Sequence, residues 1–156
     1  MLIQRTYPIR SELRNTSLEF NEKSICYGEF EDDNFENKIA NCDLQYYDIC
    51  KQGNSIASVH PKGNRFNSIK LSKNGIVNTI AASGSELYHY EKKKALSNNE
   101  LKQCGTYPLD YNFKSIEPKY LIGMSVPPVM TAQIANQIKI QWLDKIYKEF
   151  LLKAAM

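Results

Sequence analysis

Beyond Pro127-Pro128 the chain runs on without another glycine or proline, and this stretch limits the possible folds more than any other. Met130, Ile134, Ile138, Trp142, Ile146 and Phe150 recur at every fourth position, with Ala135 and Leu143 beside them. The pattern predicts one long amphipathic helix starting at Pro127 or Pro128 and ending near Leu152. Proline costs nothing at the first helical position, where its missing N–H would have had no partner inside the helix. At 1.5 Å per residue the helix is on the order of 35 Å long. A spacing of four drifts slowly around an α-helix, so the stripe suits a long contact with a curved surface, either core or interface.

A chain of 156 residues is one domain's worth and can bury a modest core. Its 42% hydrophobic and 24% charged residues are ordinary for a folded protein. No apolar run approaches the roughly 20 residues that span a bilayer. Residues Met1 to Arg10 lack the apolar core of a secretion signal, which predicts a cytoplasmic protein with no membrane partner. None of the four cysteines, Cys26, Cys42, Cys50 and Cys104, has C-x-x-C spacing, and only His60 and His89 are available to join them. A zinc site is therefore not expected, and unpaired thiols in a reducing compartment are. Charge is unevenly placed: residues 1–59 sum to −4 and residues 60–156 to +7. A basic half suits a polyanion such as DNA, although a solvated surface explains the same charge.

Residues 1–59 are weakly patterned. Gly28 to Glu36 reads as an acidic exposed loop, and Leu44 to Cys50 as two turns of helix stopped near Gly53. From His60 onward the punctuation is clearer. His60 to Arg65 is a turn. Ile69–Leu71, Ile76–Ile80 and Leu87–Tyr90 are strand-like. Ala81 to Gly84 is small enough for close backbone approach, and Glu91 to Lys94 is a charged turn. Ser97-Asn98-Asn99-Glu100 is a capping box opening a helix from Asn98 to about Cys104, with Gly105 at its end. The fold class expected is α+β: a small, irregular, β-rich region, then a short helix, then the long C-terminal one. Residues 1–59 and 60–156 are the expected parts.

Several segments occur in a telling order: a strand ending Asn78-Thr79-Ile80, then Ala95-Leu96-Ser97-Asn98-Asn99-Glu100, then Thr106-Tyr107-Pro108-Leu109-Asp110-Tyr111, then Gly123-Met124-Ser125-Val126-Pro127-Pro128 and a helix. From His60 to Trp142 this set resembles the C-terminal part of DNA cytosine-5 methyltransferases of the phage-like and bacterial branch. The resemblance implies that Gly75–Ser83 is similar to the family's ninth motif, with Thr79 kept and the usual prolines absent. Leu96, Ser97 and Glu100 resemble its L-T-x-x-E segment, and Tyr107-Pro108 with Tyr111 its F-P-x-x-Y turn. Gly123–Pro128 resembles the tenth motif, G-N-S-V-P-P, with Met124 in place of asparagine. By resemblance, Gly123, Ser125 and Val126 lie beside S-adenosyl-L-methionine. Lys62, Arg65, Lys70, Lys73 and Thr79 are the candidate contacts to double-stranded DNA, and Lys92 to Lys94 are further cations of interest.

The family's nucleophile is a cysteine preceded by proline. It adds to carbon 6 of a flipped cytosine and makes carbon 5 reactive. Ile25, Asn41, Ile49 and Gln103 precede the four cysteines here, and the F-x-G-x-G cofactor loop is absent. The resemblance therefore implies a C-terminal portion or subunit: target recognition plus part of the cofactor site, inactive without a catalytic methyltransferase chain, with no catalytic residue and no metal of its own. The alternative is a non-enzymatic DNA-binding or relic domain. His60 and His89 read as structural, and Tyr88, Tyr90, Tyr107 and Tyr111 as packing residues.

Overall fold

The computed structural model describes residues 23–84 and 86–154. They fall into two compact units, Lys23–Pro128 and a helical part from Val129 onward. This division does not follow the expected boundary after residue 59, because residues 23–59 belong to the same unit as the segments that follow them.

In the first unit the elements run as α1 (Asn41–Tyr47), β1 (Ser68–Lys70), β2 (Glu86–Tyr88), α2 (Asn98–Cys104) and α3 (Pro118–Met124). Single 3-10 turns stand at Tyr27–Glu29 and Ile56–Ser58. The class is mixed α+β, and its sheet is small: β1 and β2 pair in parallel, Ser68 with Glu86 through Lys70 with Tyr88. Isolated pairings widen it. Ser55 bridges Ile69 on one side, while Tyr88 bridges Ala95 and Lys38 bridges Lys94 on the other. Ile76–Ile80, expected as a strand, is irregular loop. β-branched residues favour a strand only where a neighbouring strand accepts their hydrogen bonds, and the outer edges of β1 and β2 are already taken by Asn54–Ser55 and Ala95–Leu96.

Period-two alternation sorts the core. Successive side chains of a strand face opposite sides, so Leu87 joins one cluster with Tyr27, Leu71, Tyr90, Leu96, Leu101, Phe113 and Ile122. Tyr88 joins the other, with Ile39, Tyr47, Cys50, Ile56 and Ala95. Leu96 and Ala95 repeat the division one strand position further out. Helix α2 begins as its capping box requires: Ser97 Oγ accepts from the Glu100 N–H at 3.0 Å, and Glu100 Oε2 accepts from the Ser97 N–H at 2.7 Å. Helix α3 was not expected from the sequence. Pro118 opens it, as proline does at a helix start, and Gly123 lies inside it.

The C-terminal part is helical throughout: α4 (Pro128–Ile138), a π-helical turn at Lys139–Leu143, and α5 (Asp144–Ala154). The expected helix is present, and the wide turn at its middle fits the apolar spacing. A stripe repeating every four residues runs ahead of a 3.6-residue turn by about 40° at each step. One wide turn takes back part of that drift.

Candidate functional site

Of the four segments that carry the resemblance, the first and the last meet through their backbones. A Cβ added at Gly123 would lie 2.4 Å from the Ala82 nitrogen and 2.6 Å from the Ala81 carbonyl carbon. Helix α3 thus rests directly on the small-residue segment that follows Asn78-Thr79-Ile80, which explains why both surfaces lack side-chain bulk. Just beyond, the chain leaves the helix at Ser125, whose N–H and hydroxyl both donate to the Ile122 carbonyl, at 3.1 and 2.8 Å. Val126 stands 61% exposed and Met124 67% exposed. Gly123 and Ser125 are half-buried.

A cleft of about 520 Å³ opens on the same unit. Ile80, Leu87, Leu96 and Leu101 form its apolar lining; Glu36, Lys38, Glu117 and the 2.9 Å Lys119–Glu86 ion pair supply polar groups. Gly123, Ser125 and Val126 do not line it.

The proposed DNA contacts divide. Lys62, Lys73 and Thr79 are exposed. Arg65 and Lys70 are committed inward. The Arg65 guanidinium donates twice to buried Asp43, at 2.7 and 2.8 Å, and Tyr88 donates to the same carboxylate at 2.6 Å. Burial alone would raise the Asp43 pKa, but the bonds from Arg65 and Tyr88 outweigh it and hold the carboxyl below its usual range. Lys70 is buried, with its ammonium 4.2 Å above the Tyr47 ring and donating to the Tyr47 carbonyl at 3.1 Å.

Sequence reading missed the most heavily bonded cluster in the unit. Lys94, taken for a surface cation in a charged turn, is fully buried. Its ammonium meets Asp32 Oδ1 at 2.9 Å and both Glu100 oxygens at 3.1 Å, and donates to the carbonyls of Asp32 and Asn34. The Glu100 carboxylate also accepts from the Tyr27 hydroxyl at 2.9 Å and the Asp32 N–H at 3.0 Å. Ser97 Oγ donates to Asp32 Oδ2 at 2.6 Å. The acidic run expected as an exposed loop is therefore the counter-charge of the basic turn: Asp33 pairs with Lys92, and Glu36 accepts from the Asn98 N–H. Asp48, further along, pairs with Lys93. The signal was present in the sequence as two short runs of opposite sign.

His89 shares this interior. Its Nδ1 accepts from the N–H groups of Glu91 and Lys92, at 2.9 and 3.0 Å, which leaves Nε2–H to donate to Glu31 at 2.7 Å. Burial depresses its pKa, and Glu31 only partly offsets that. For Glu31, burial raises the pKa, yet hydrogen bonds from Tyr90 and His89 leave it lowered. Asp32 behaves alike, lowered by Ser97 and Lys94 against its own burial. All of these shifts have one sign for stability. A group whose folded pKa lies below its unfolded value stabilises above the unfolded value and loses that contribution as pH falls. Urea midpoints are expected to be level between about pH 6.5 and 8, to decline below that range as His89 is forced to charge, and to drop again below about pH 4 as the carboxylates protonate. A midpoint that rose on acidification from pH 7 to pH 3 would contradict this set of contacts.

The cysteines carry free thiols. Burial, reinforced by the Glu100 charge, pushes Cys104 up to about 12, and burial also raises Cys50, so neither is an activated nucleophile. Among the described residues no group of three or more His, Cys, Asp or Glu side chains is placed to hold a metal ion. Nor is any helix among them long and apolar enough to cross a membrane. No protein-family model, no curated protein and no solved structure matches the chain.

Proposed function

We propose that this chain is the C-terminal portion or subunit of a DNA (cytosine-5)-methyltransferase. It supplies target recognition and one wall of the S-adenosyl-L-methionine site, while a catalytic chain supplies the reactive thiol. The observation that carries the reading is the backbone contact of Gly123 with Ala81–Ala82. It joins the segment like the tenth motif to the end of the segment like the ninth, which lie about forty residues apart in the chain, and it leaves Val126 outward beside that junction. Gly123, Ser125 and Val126 are the residues proposed to adjoin the cofactor, through backbone and a small apolar surface, since Met124 lacks the polar group of an asparagine. The helical part supports a partner chain. Ile134, Ile140, Leu143, Ile146 and Phe150 are all exposed along it, and burying each such side chain is worth about 1.5–3 kcal/mol.

The alternative, non-enzymatic DNA binding through a broad basic face, is the weaker reading. Arg65, Lys70, Lys92, Lys93 and Lys94 are engaged by groups of the same chain. Co-expression with the reading frame immediately upstream, followed by purification and transfer of labelled methyl groups to DNA, tests the proposal. A stable pair that forms 5-methylcytosine, with neither chain active alone, is expected. A failure both to associate and to methylate would count decisively against it.

A further inference from the structure

We infer that the turn from His89 to Lys94 is an acid-operated latch, closed by the neutral imidazole of His89 and opened locally when that ring takes up a proton. The inference stands on the geometry of this turn and is independent of the methyltransferase reading. Beyond β2 the chain reverses within a few residues and brings Ala95 back beside Tyr88. The His89 N–H donates to the Lys94 carbonyl at 3.0 Å and closes the base of that reversal. Inside it, the backbone N–H groups of Glu91 and Lys92 both point at His89 Nδ1, at 2.9 and 3.0 Å. One side-chain nitrogen with a lone pair thus satisfies two backbone donors, which only the neutral ring can do. A proton on Nδ1 would meet two N–H groups head-on, so the closed turn and the imidazolium exclude each other.

The surroundings do not relieve that conflict. Glu31 accepts from the Tyr90 hydroxyl at 2.8 Å and lies 2.7 Å from Nε2, so it favours a charged ring but stands at the wrong nitrogen to receive a proton on Nδ1. Tyr27 packs edge-on at 5.5 Å and Tyr90 stacks at 4.3 Å. From α1, the Tyr47 hydroxyl lies 2.6 Å from the His89 carbonyl and 2.8 Å from the Lys92 carbonyl, and so ties the turn down by its backbone. The ring is fully buried, and burial together with the charges of Lys92 and Lys94 opposes the cation. The Glu91 side chain is exposed. Opening stays local because the fastenings differ along the turn. Lys92 and Lys93 are held by surface pairs, with Asp33 at 2.6 Å and Asp48 at 2.7 Å, and pairs of this kind hold little. Lys94 is anchored by Asp32 and Glu100, and Tyr88 is part of the core. Residues 91–93 can therefore lift into water while both ends stay seated. The open turn presents two unpaired lysines and uncovers Asp33 and Asp48, which rearranges surface charge without changing the fold.

Amide hydrogen exchange of the full chain, read by NMR between pH 7.5 and 5 and corrected for the intrinsic rate, tests the latch. With one proton linked to opening, the opening constant at Glu91 and Lys92 is expected to rise about tenfold per pH unit below the ordinary imidazole value of about 6.5. In low urea these two amides should exchange at a rate that urea does not change, because a local opening exposes little new surface. The Leu71 and Leu101 amides, bonded to the carbonyls of Tyr88 and Ser97, should instead follow the urea-dependent global unfolding. His89→Asn places an amide oxygen close to where Nδ1 stood and cannot titrate. Glu91 and Lys92 then stay protected, and their pH slope vanishes between pH 6.5 and 5. His89→Leu, with no acceptor, exposes both amides at every pH. The wild-type slope and urea dependence decide the matter even where a variant fails to fold. An imidazole that titrates while Glu91 and Lys92 remain protected overturns the latch, since the ring is then charged in place. Turn exchange that rises with urea in step with Leu101 overturns it by making the opening global. An unchanged slope in folded His89→Asn overturns it by moving the proton to another group.

Discussion

Lys94→Met is expected to lower the unfolding free energy of the chain by about 3–5 kcal/mol, the usual consequence of removing one partner from a buried ion pair. The reason lies in what remains. Glu100 is fully buried, and Asp32 is only partly open to water. Without the ammonium between them the two carboxylates face each other across a gap that no other cation fills. The hydrogen bonds from Tyr27 and Ser97 to Glu100 would then stabilise a charge with no counter-charge. Adding Glu100→Gln to Lys94→Met should recover part of the loss, because the amide removes the stranded charge and its oxygen can still accept from Tyr27 and Asp32, although its NH2 cannot accept from the Ser97 N–H as Oε2 does. The double variant is thus expected to be less destabilised than the sum of the single ones. Urea denaturation followed by far-ultraviolet circular dichroism measures all three. A loss below about 1 kcal/mol for Lys94→Met would show that water reaches the site and that the cluster is not the keystone its geometry indicates.

Gly123→Ala carries the second large effect, and here the sign is informative. Alanine in place of a helical glycine normally stabilises by about 1 kcal/mol. Here the added methyl would enter space held by the Ala81–Ala82 backbone, at 2.4–2.7 Å. Backbone cannot rotate aside as a lysine stem can, so α3 must withdraw from that segment or the segment must move. Overpacking of this kind costs about 1–3 kcal/mol, which reverses the helix preference. A melt that rose on substitution would show that α3 and the 81–82 segment separate easily. Under the proposed function the same variant, in complex with the catalytic chain, should also lose affinity for S-adenosyl-L-methionine. Isothermal titration reads that loss independently of stability.

The parts legible in the sequence were those in which a few adjacent residues decide the outcome. The Ser97–Glu100 capping box settles a helix start between residues three apart, and α2 begins and ends where Ser97 and Gly105 place it. The long helical run after Pro127 is likewise local. Two short strands lie within a residue or two of the expected Ile69–Leu71 and Leu87–Tyr90. What escaped the sequence depends on distant partners. Ile76–Ile80 has the composition of a strand and no edge to pair with. Lys94 has the look of a solvated lysine, and its burial depends on Asp32, which is 62 residues earlier. Arg65 and Lys70 resemble phosphate contacts until α1 supplies Asp43 and Tyr47. The cofactor and DNA assignments rest on resemblance together with the Gly123 junction, since no pattern of charge or periodicity singles out Ser125 or Val126.

Because the negative segment 31–36 precedes its cationic counterpart by some sixty positions, the two halves of the lattice emerge from a ribosome at different times. Early carboxylates remain hydrated until the later lysines appear, and neither set can leave water profitably alone. Closure of this unit is therefore a late, long-range event. A fragment beginning at His60, however natural that cut looks on the page, would carry Lys94 into an apolar interior with one of its two acidic neighbours gone.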